Sequence, residues 1–274
     1  MVKIIKQRTH TNKIGPVYYS PTGTPRKIVT ATAKGLSRAL KTSLEEHDFT
    51  LPKARTQPLR FTDSDLVVFG TPVYAGRVPN VLLPYLNTMQ GNGALAIPVV
   101  LFGNRDYDDA LIELRDILEN NGLHTIAAGA FVGEHSFSRI LAKDRPDMKD
   151  MDIVDEFVRK ICEKYKTDTL SHPIPVSGTP YPYRGYYTPR DRQGTPVDIR
   201  KVKPLTNDRC NNCKHCAKVC PMGSISYENV RELTGICIKC GACIKKCPKQ
   251  AKYYEDTGYL YHQHELEEGL TRRA

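Results

Sequence analysis

Cysteine spacing is the feature of this sequence with the most direct chemical meaning. Eight of the nine cysteines form two runs of identical spacing, and the second run begins 27 residues after the first. The runs are Cys210, Cys213, Cys216 and Cys220-Pro221, then Cys237, Cys240, Cys243 and Cys247-Pro248. Three thiolates separated by two residues can all point from one tight loop at three irons of a single cubane cluster. The spacing therefore predicts iron–sulfur clusters.

Two other uses of cysteine fit this spacing less well. Structural zinc sites take two ligand pairs that are well separated, whereas here three cysteines fall within seven residues and a fourth follows. A disulfide framework requires an oxidising compartment. The first residues of the chain contain no apolar stretch of signal-peptide length, so we expect reduced thiols and a cytoplasmic location.

Each run resembles the cysteine pattern of the bacterial two-cluster ferredoxins, in which the fourth cysteine of one run binds the cluster of the other. The resemblance implies two [4Fe-4S] clusters with crossed ligands. It assigns Cys210, Cys213, Cys216 and Cys247 to one cluster, and Cys237, Cys240, Cys243 and Cys220 to the second.

Length and charge limit what else the chain can be. Its 274 residues are enough for two domains, and the cysteine segment needs only about 50 of them. No apolar run approaches the roughly 20 residues of a membrane span. The formal charge of +10 favours an acidic partner, although two clusters with eight thiolate ligands would themselves offset about four of those charges. The sequence indicates no oligomeric state.

The first 168 residues alternate between apolar runs and helical patterns. We predict strands at 15–19, 65–70, 94–102 and 125–131, because these are continuous apolar runs of the kind that parallel strands show when both faces are buried. Helical spacing joins Ile28 to Leu44, residues 111–118, and the residues Ile153, Phe157, Ile161 and Tyr165. This alternation predicts an α/β fold with a parallel sheet and a ligand site at the carboxyl ends of its strands.

Three loops follow these strands, and their residue types suit a flavin nucleotide. The turn from Ser20 to Arg26 offers hydroxyls, backbone N–H groups and the positive end of a helix to a phosphate. The next two loops each carry a tyrosine, which could enclose a flat ring. The predicted binding residues are Ser20, Thr22, Gly23, Thr24, Pro72, Tyr74, Gly103, Asn104 and Tyr107. His135 and Ser136 either line the same pocket or are ordinary loop residues.

The turn resembles the phosphate loop of the flavodoxins, and the chain from Val17 to Glu255 resembles the flavodoxin-ferredoxin fusions called the ferrodoxin family. Further matching segments are Gly-Asn-Arg-Asp-Tyr at 103–107, Gly-Glu-His-Ser at 133–136 and Arg-Pro-Asp at 145–147. The resemblance implies FMN and a doubly wound parallel sheet of order 2-1-3-4-5, followed by a small α+β 2[4Fe-4S] ferredoxin domain. One residue departs from the flavodoxin pattern, because Pro25 replaces a threonine and removes a hydroxyl and an N–H.

The expected organisation is a flavodoxin-like domain at 1–168, a linker at 169–203, a ferredoxin domain at 204–256 and an exposed tail at 257–274. The linker is rich in proline, tyrosine and basic residues, a composition that also occurs in segments that bind single-stranded nucleic acid. No nucleic-acid recognition fold accompanies it, so we do not expect that function.

These features predict an electron-transfer protein in which FMN and two [4Fe-4S] clusters exchange electrons with a redox partner protein. Two alternatives stay open: a flavin-dependent reductase of a small substrate, and a flavin-free ferredoxin whose first domain only docks partners. No catalytic triad or paired carboxylates are identifiable, so the sequence leaves open whether the chain is an enzyme.

Overall fold

The computed structural model describes residues 3–6, 11–167 and 169–274. The strands are β1 (Lys3–Lys6), β2 (Lys13–Tyr18), β3 (Ser43–Leu44), β4 (His47–Asp48), β5 (Asp65–Pro72), β6 (Leu95–Phe102), β7 (His124–Thr125), β8 (Gly129–Val132), β9 (Thr169–His172), β10 (Leu205–Thr206) and β11 (Lys252–Tyr253). The α-helices are α1 (Thr24–Leu40), α2 (Leu83–Leu86), α3 (Ala110–Asn120), α4 (Met148–Tyr165), α5 (His215–Lys218), α6 (Ala242–Lys245) and α7 (Thr257–Gly269).

The central sheet is parallel throughout, and its order is that of a flavodoxin-like fold. Strands β3 and β4 both pair with β2, β2 pairs with β5, β5 with β6, and β6 with β7 and β8. When each edge pair is counted as one position, the order is 2-1-3-4-5. The predicted fold class is therefore confirmed.

Helices cover both faces of this sheet, and each face has its own apolar core. On one face α1 packs against α4, with Ile28, Leu36 and Val158 among the buried side chains. On the other face α3 and the segment around α2 cover Phe69 and Val100. Because successive strand residues point to opposite faces, the neighbours Tyr18 and Tyr19 enter different cores.

Two details of the predicted helices are wrong. The first helix ends at Leu40, and Lys41 takes a left-handed conformation, so Leu44 belongs to β3 and not to the helix. In α4, Ile153 is 55% exposed, and Val154 and Val158 face the core in its place. The predicted apolar stripe contained the buried Ile161 and Tyr165, but its first member lies on the solvent side.

The cysteine-rich segment repeats its backbone as well as its sequence. Asn212 and Lys214 in the first run have positive φ, and so do Lys239 and Gly241 at the equivalent positions of the second. A single helical turn, α5 or α6, follows in each run and carries the third cysteine. The antiparallel pair β10 and β11 closes the segment, which is a small α+β unit.

The last residues do not form the exposed tail that was expected. They contain helix α7, capped by the side chain of Asp256, with Tyr259, His262 and Leu266 buried. The three side chains recur at helical spacing. The polar residues around them make this spacing hard to recognise in the sequence. Among the described helices, none is both long and apolar enough to cross a bilayer.

Candidate redox site

The eight cysteines of the two runs line two separate cavities. Cys210, Cys213, Cys216 and Cys247 line the first, which we call the outer cysteine site. Cys220, Cys237, Cys240 and Cys243 line the second, which we call the buried cysteine site. In each cavity three cysteines come from one run and the fourth from the other, as crossed ligation requires.

Backbone N–H groups point at the fourth cysteine of each run. The amide of Ser224 donates to Cys220 Sγ at 3.3 Å, and the amide of Ala251 donates to Cys247 Sγ at the same distance. Burial alone would raise the pKa of Cys247, but four backbone N–H groups bring it below its ordinary value. The loop after the second run thus stabilises the Cys247 thiolate.

The two sites differ in burial. Cys213 of the outer site is exposed, whereas Cys240 and Cys243 are buried. Burial raises the pKa of the Cys240 thiol to about 12 and raises that of Cys243 as well. Free thiols with such values stay protonated near neutral pH, while a coordinated metal deprotonates them outright. The donor set therefore fits soft metal ligation and does not suit free reactive cysteines.

A cavity of about 610 Å³ lies beside the buried cysteine site, and we call it the ring cavity. The loops after β5 and β6 contribute Tyr74 and Gly103, two of the predicted flavin residues. Ile238 and Lys239, which lie between Cys237 and Cys240, also line this cavity. The volume lies within the range of small-molecule sites.

Several residues of the ring cavity were not predicted as ligand-binding residues. Tyr186 and Tyr187 come from the linker, and His262 and Leu266 come from α7. The amide of Tyr187 donates to the carbonyl of Ala75, which fixes the linker against the loop after β5. The tyrosines of the linker were the sequence signal that could have indicated these cavity residues, because aromatic residues in an extended segment often cover an apolar surface.

His135 and Ser136 also line the ring cavity. Burial lowers the pKa of His135 to about 3, and the nearby His262, Lys245 and Arg105 act in the same direction. Its Nδ1 accepts a hydrogen bond from the amide of Phe137 at 3.1 Å. The imidazole is therefore neutral at pH 7, with its proton on Nε2.

Other predicted residues lie outside the ring cavity. Asn104 donates to the carbonyls of Leu270 and Arg272 at 3.0 and 2.7 Å, so its amide holds the end of the chain. Tyr107 is half-buried against the core and packs on Phe102 with ring centroids 5.6 Å apart. Neither they nor Pro72 line the cavity.

The predicted phosphate turn keeps features that suit an anion. Gly23 has φ of 106° and precedes α1, Pro25 lies in its first turn, and a Cβ on Gly23 would meet no atom within 4 Å. Ser20 is buried, and its hydroxyl accepts from the amide of Arg26 at 2.9 Å. Among the described residues, the backbone N–H groups of Thr22, Gly23 and Thr24 have no hydrogen-bond acceptor. The turn does not line the ring cavity.

Contacts between the two domains surround these sites. Lys245 donates to Glu134 and to the carbonyl of Ser138, and Arg139 donates to the carbonyl of Ile244 at 3.0 Å. A Cβ on Gly241 would lie 2.6 Å from the carbonyl oxygen of Ser136, so the backbones approach closely there. Helix α6 therefore packs directly on the loop after β8.

Comparison with known proteins assigns the second domain. A family model described as a 4Fe-4S dicluster domain matches residues 209–252. No curated protein matches the chain.

Similar solved structures have low identity. A flavodoxin from Streptococcus pneumoniae TIGR4 is 18% identical over 56% of this chain and 98% of that one, with a TM-score of 0.39. A flavodoxin from the domain Archaea is 13% identical over 57% of this chain and 99% of that one, with a TM-score of 0.40. Rubredoxin oxygen:oxidoreductase from Desulfovibrio gigas is 17% identical over 58% of this chain and 37% of that one, with a TM-score of 0.40. The strand order of the central sheet shows the fold.

Proposed function

We propose that this chain, in which a flavodoxin-like domain is joined to a 4Fe-4S domain, is an electron-transfer protein that uses FMN and two [4Fe-4S] clusters. The observation that carries the proposal is the shared wall between the ring cavity and the buried cysteine site. Ile238 and Lys239 line the cavity, and the cysteines on either side of them line the cysteine site. A flat redox group in the cavity would therefore be a direct neighbour of a cluster.

The cysteine residues fit two clusters. Each cavity offers four thiols in the three-plus-one pattern, and backbone N–H groups already point at two of the sulfurs. The outer site would hold one cluster near the surface, since Cys213 is exposed, and the buried site would hold the second. Electrons could then pass between the ring cavity and the surface through two neighbouring metal sites.

The FMN proposal rests on two separate parts of the first domain. The turn at 20–24 supplies three amides without a protein acceptor among the described residues, at the positive end of α1. The ring cavity supplies Tyr74, Tyr186 and Tyr187 as aromatic walls. FMN takes up two electrons together and releases them singly, whereas each cluster carries one, so the chain would connect the two kinds of carrier.

A redox partner would approach the outer cysteine site. The exposed residues around it include Arg209, Arg231 and Lys249, which favour an acidic protein surface. The proposal places the chain in the cytoplasm, because eight cluster thiolates must be kept reduced.

Two other functions are supported by particular observations. The charged residues Arg105, Asp106 and Arg200 also line the ring cavity, which would suit a flavin-dependent reductase that binds a small polar substrate there. The separation of the turn from the cavity favours a flavin-free ferredoxin whose first domain only docks partners. Turnover of a small reducible substrate by the purified holoprotein would favour the reductase over the electron-transfer protein.

Anaerobic purification with cofactor analysis tests the proposal. We expect about eight irons and eight sulfides per chain, since each cubane cluster contains four of each, together with about one FMN. Two zinc ions without sulfide would overturn the cluster assignment. Eight irons without flavin, and no fluorescence quenching when FMN is added, would leave the flavin-free docking function.

A further inference from the structure

Tyr19 lies at the carboxyl end of β2 and is completely buried. Its ring packs on Phe49 with centroids 6.1 Å apart. Its hydroxyl has no hydrogen-bond partner among the described residues. Buried tyrosine hydroxyls are normally paired, because an unpaired polar group in the interior lowers the stability of the fold. The position of this hydroxyl therefore calls for an acceptor.

Arg55 connects Tyr19 to the buried cysteine site. The guanidinium carbon lies 5.7 Å from the centre of the Tyr19 ring. One terminal nitrogen donates to the carbonyl of Pro221 at 2.6 Å, and the other donates to the carbonyls of Phe49 and Thr50 at 2.8 and 2.6 Å. Pro221 follows Cys220, and both line the buried cysteine site. The Arg55 guanidinium, a fixed positive charge, thus bridges the Tyr19 ring and the segment that carries a predicted cluster ligand.

The electrostatics of Tyr19 point to the same neighbours. Burial raises its pKa above the ordinary value, the thiols of Cys240 and Cys220 raise it further, and Arg55 opposes them. The hydroxyl therefore keeps its proton near neutral pH and can act as a donor. The two thiols belong to the same predicted cluster although they come from different runs.

We propose that the Tyr19 hydroxyl donates a hydrogen bond to a sulfur of the cluster held by Cys220, Cys237, Cys240 and Cys243, and thereby raises the reduction potential of that cluster. The inference rests on the proposed cluster assignment and goes beyond it. Reduction adds one negative charge to the cluster, and a donor to its sulfur stabilises the added charge. The nearby Arg55 cation acts in the same direction.

Tyr19 is a tuning residue in this scheme and not a cluster ligand. All ligands of the cluster come from the second domain, whereas Tyr19 and Arg55 come from the first. Docking of the two domains therefore sets the potential of the buried cluster and leaves the outer cluster unaffected.

A redox titration of the anaerobic holoprotein, followed by electron paramagnetic resonance, tests the proposal. The titrant supplies one electron, which takes each cluster core from 2+ to 1+. In Tyr19→Phe we expect the reduced-to-oxidised ratio of the buried cluster, measured at its wild-type midpoint, to fall about threefold or more. A tenfold change corresponds to about 59 mV for a one-electron couple. The outer cluster should titrate as in the parent and serves as an internal reference.

Tyr18→Phe is the matched control. Tyr18 is the last residue of β2 and directly precedes Tyr19, but its hydroxyl donates to Glu46 and its ring packs in the core on the other face of the sheet. The control should leave both potentials unchanged. Electron nuclear double resonance detects protons coupled to the reduced buried cluster. The parent and Tyr18→Phe should show one such proton that exchanges with deuterium. Tyr19→Phe should lack it.

The outcomes separate this inference from the proposed function. Tyr19→Phe protein that retains about eight irons, keeps the parent potentials and keeps the exchangeable proton would overturn the hydrogen bond while leaving the electron-transfer function intact. Parent protein without iron and sulfide would overturn both.

Discussion

At the scale of single residues, the cysteines combine two opposing demands. Burial of Cys240 and Cys243 raises their pKa values, which disfavours the thiolate that a metal needs. Binding of a metal reverses this preference, because a coordinated thiol loses its proton. We therefore expect the apoprotein to take up iron with release of protons and to be less stable without it. The proposed crossing of the fourth ligands would make folding of the two halves mutually dependent.

The proposed crossed ligation predicts which cluster each mutation damages. Cys220→Ala should remove the cluster of Cys237, Cys240 and Cys243, although Cys220 is closer in sequence to the other run. Iron content should fall by about four per chain, and electron paramagnetic resonance should lose the signal of the buried cluster. Cys162→Ala is the control, since this half-buried cysteine lies in α4. Loss of the outer cluster in Cys220→Ala would contradict the crossing.

The neutral His135 predicts an acid-sensitive stability. Burial lowers its pKa to about 3 in the folded chain, while the unfolded value is about 6.5. Below pH 6.5 the unfolded chain binds a proton that the folded chain does not, so stability falls as the pH drops from about 6.5 towards 3. By pH 5.5 the loss is on the order of 1 kcal/mol.

His135→Asn should flatten this dependence between pH 7.5 and 5.5, because asparagine can still accept from the amide two residues on. The thermal unfolding midpoint of the holoprotein provides the measurement. Burial also lowers the pKa of His262, so part of the dependence should remain. Exposed His264→Asn is the control. An unchanged slope in His135→Asn would show that His135 does not contribute.

The sequence predicted residues whose roles depend on local spacing and missed those whose roles depend on distant partners. The cysteine runs are local signals, and the structure brings their eight residues together in two cavities. Asn104 sits in the loop where a flavin contact was expected, but its amide binds carbonyls 166 and 168 residues away. No local pattern could reveal that contact, since the partners are backbone atoms of any residue type.

At the scale of elements, the positions of the central strands were predictable because buried parallel strands are continuous apolar runs with helices between them. The strand order 2-1-3-4-5 came from the resemblance to the flavodoxins, since the short edge strands β3 and β4 are not apolar runs. Predicted and observed strand bounds differ by only a few residues, but the last predicted strand is split into β7 and β8. The ends of helices were less predictable. Leu44 continues the apolar spacing of α1, yet the left-handed Lys41 ends the helix before it. Spacing alone does not record where the backbone turns.

The turn before α1 carries a prediction about flavin binding. Gly23→Val should abolish FMN retention, because a β-branched residue is strained at φ of 106° and would crowd an anion held by the amides. Gly194→Val is a matched control: Gly194 also has positive φ, with nothing within 4 Å of a Cβ, but lies in the linker. Fluorescence quenching during FMN titration of the apoprotein measures the loss. Equal quenching in parent and Gly23→Val would exclude the turn as the phosphate site.

Pro25→Thr changes the same turn in the opposite direction. It restores the hydroxyl and the N–H that flavodoxins have there, and each hydrogen bond to a charged acceptor contributes roughly 1.5 to 3 kcal/mol. Loss of proline at the first helical turn offsets part of this gain. A net gain of half the lower energy would still raise FMN affinity about threefold. Unchanged or weaker binding would show that the phosphate does not reach this position.

At the scale of the whole molecule, the two domains are fastened by contacts that neither domain's own pattern predicts. Arg55 reaches the carbonyl after Cys220, and Lys239 reaches the carbonyl of Arg200 in the linker at 2.7 Å. The end of the chain is held by Arg273, which donates to Asp147 at 2.7 and 2.9 Å. These contacts explain why many basic residues lie close to the sites. The Arg55 contact holds the segment after Cys220 against the loop between β4 and β5.

The pair of Lys245 and Glu134 tests this docking most directly. The two side chains are only 11% and 26% exposed, and Lys245 also donates to the carbonyl of Ser138. Lys245→Met removes the charge from this interface and leaves Glu134 partly buried without its cation. Loss of a hydrogen bond between charged groups costs about 1.5 to 3 kcal/mol. Each kcal/mol shifts the thermal midpoint of a chain this size by about 2 to 4 °C.

We therefore expect Lys245→Met to lower the unfolding midpoint of the holoprotein by several degrees, and Glu134→Gln to do so by a similar amount. The double variant should be little worse than either single one, because the second change removes a partner that has already lost its contact. Lys249→Met changes an exposed lysine four residues after Lys245, beyond the end of α6, and should leave the midpoint unchanged. Additive losses in the double variant would mean that the two side chains act independently. The docking of α6 on the loop after β8 would then depend on its backbone contacts alone.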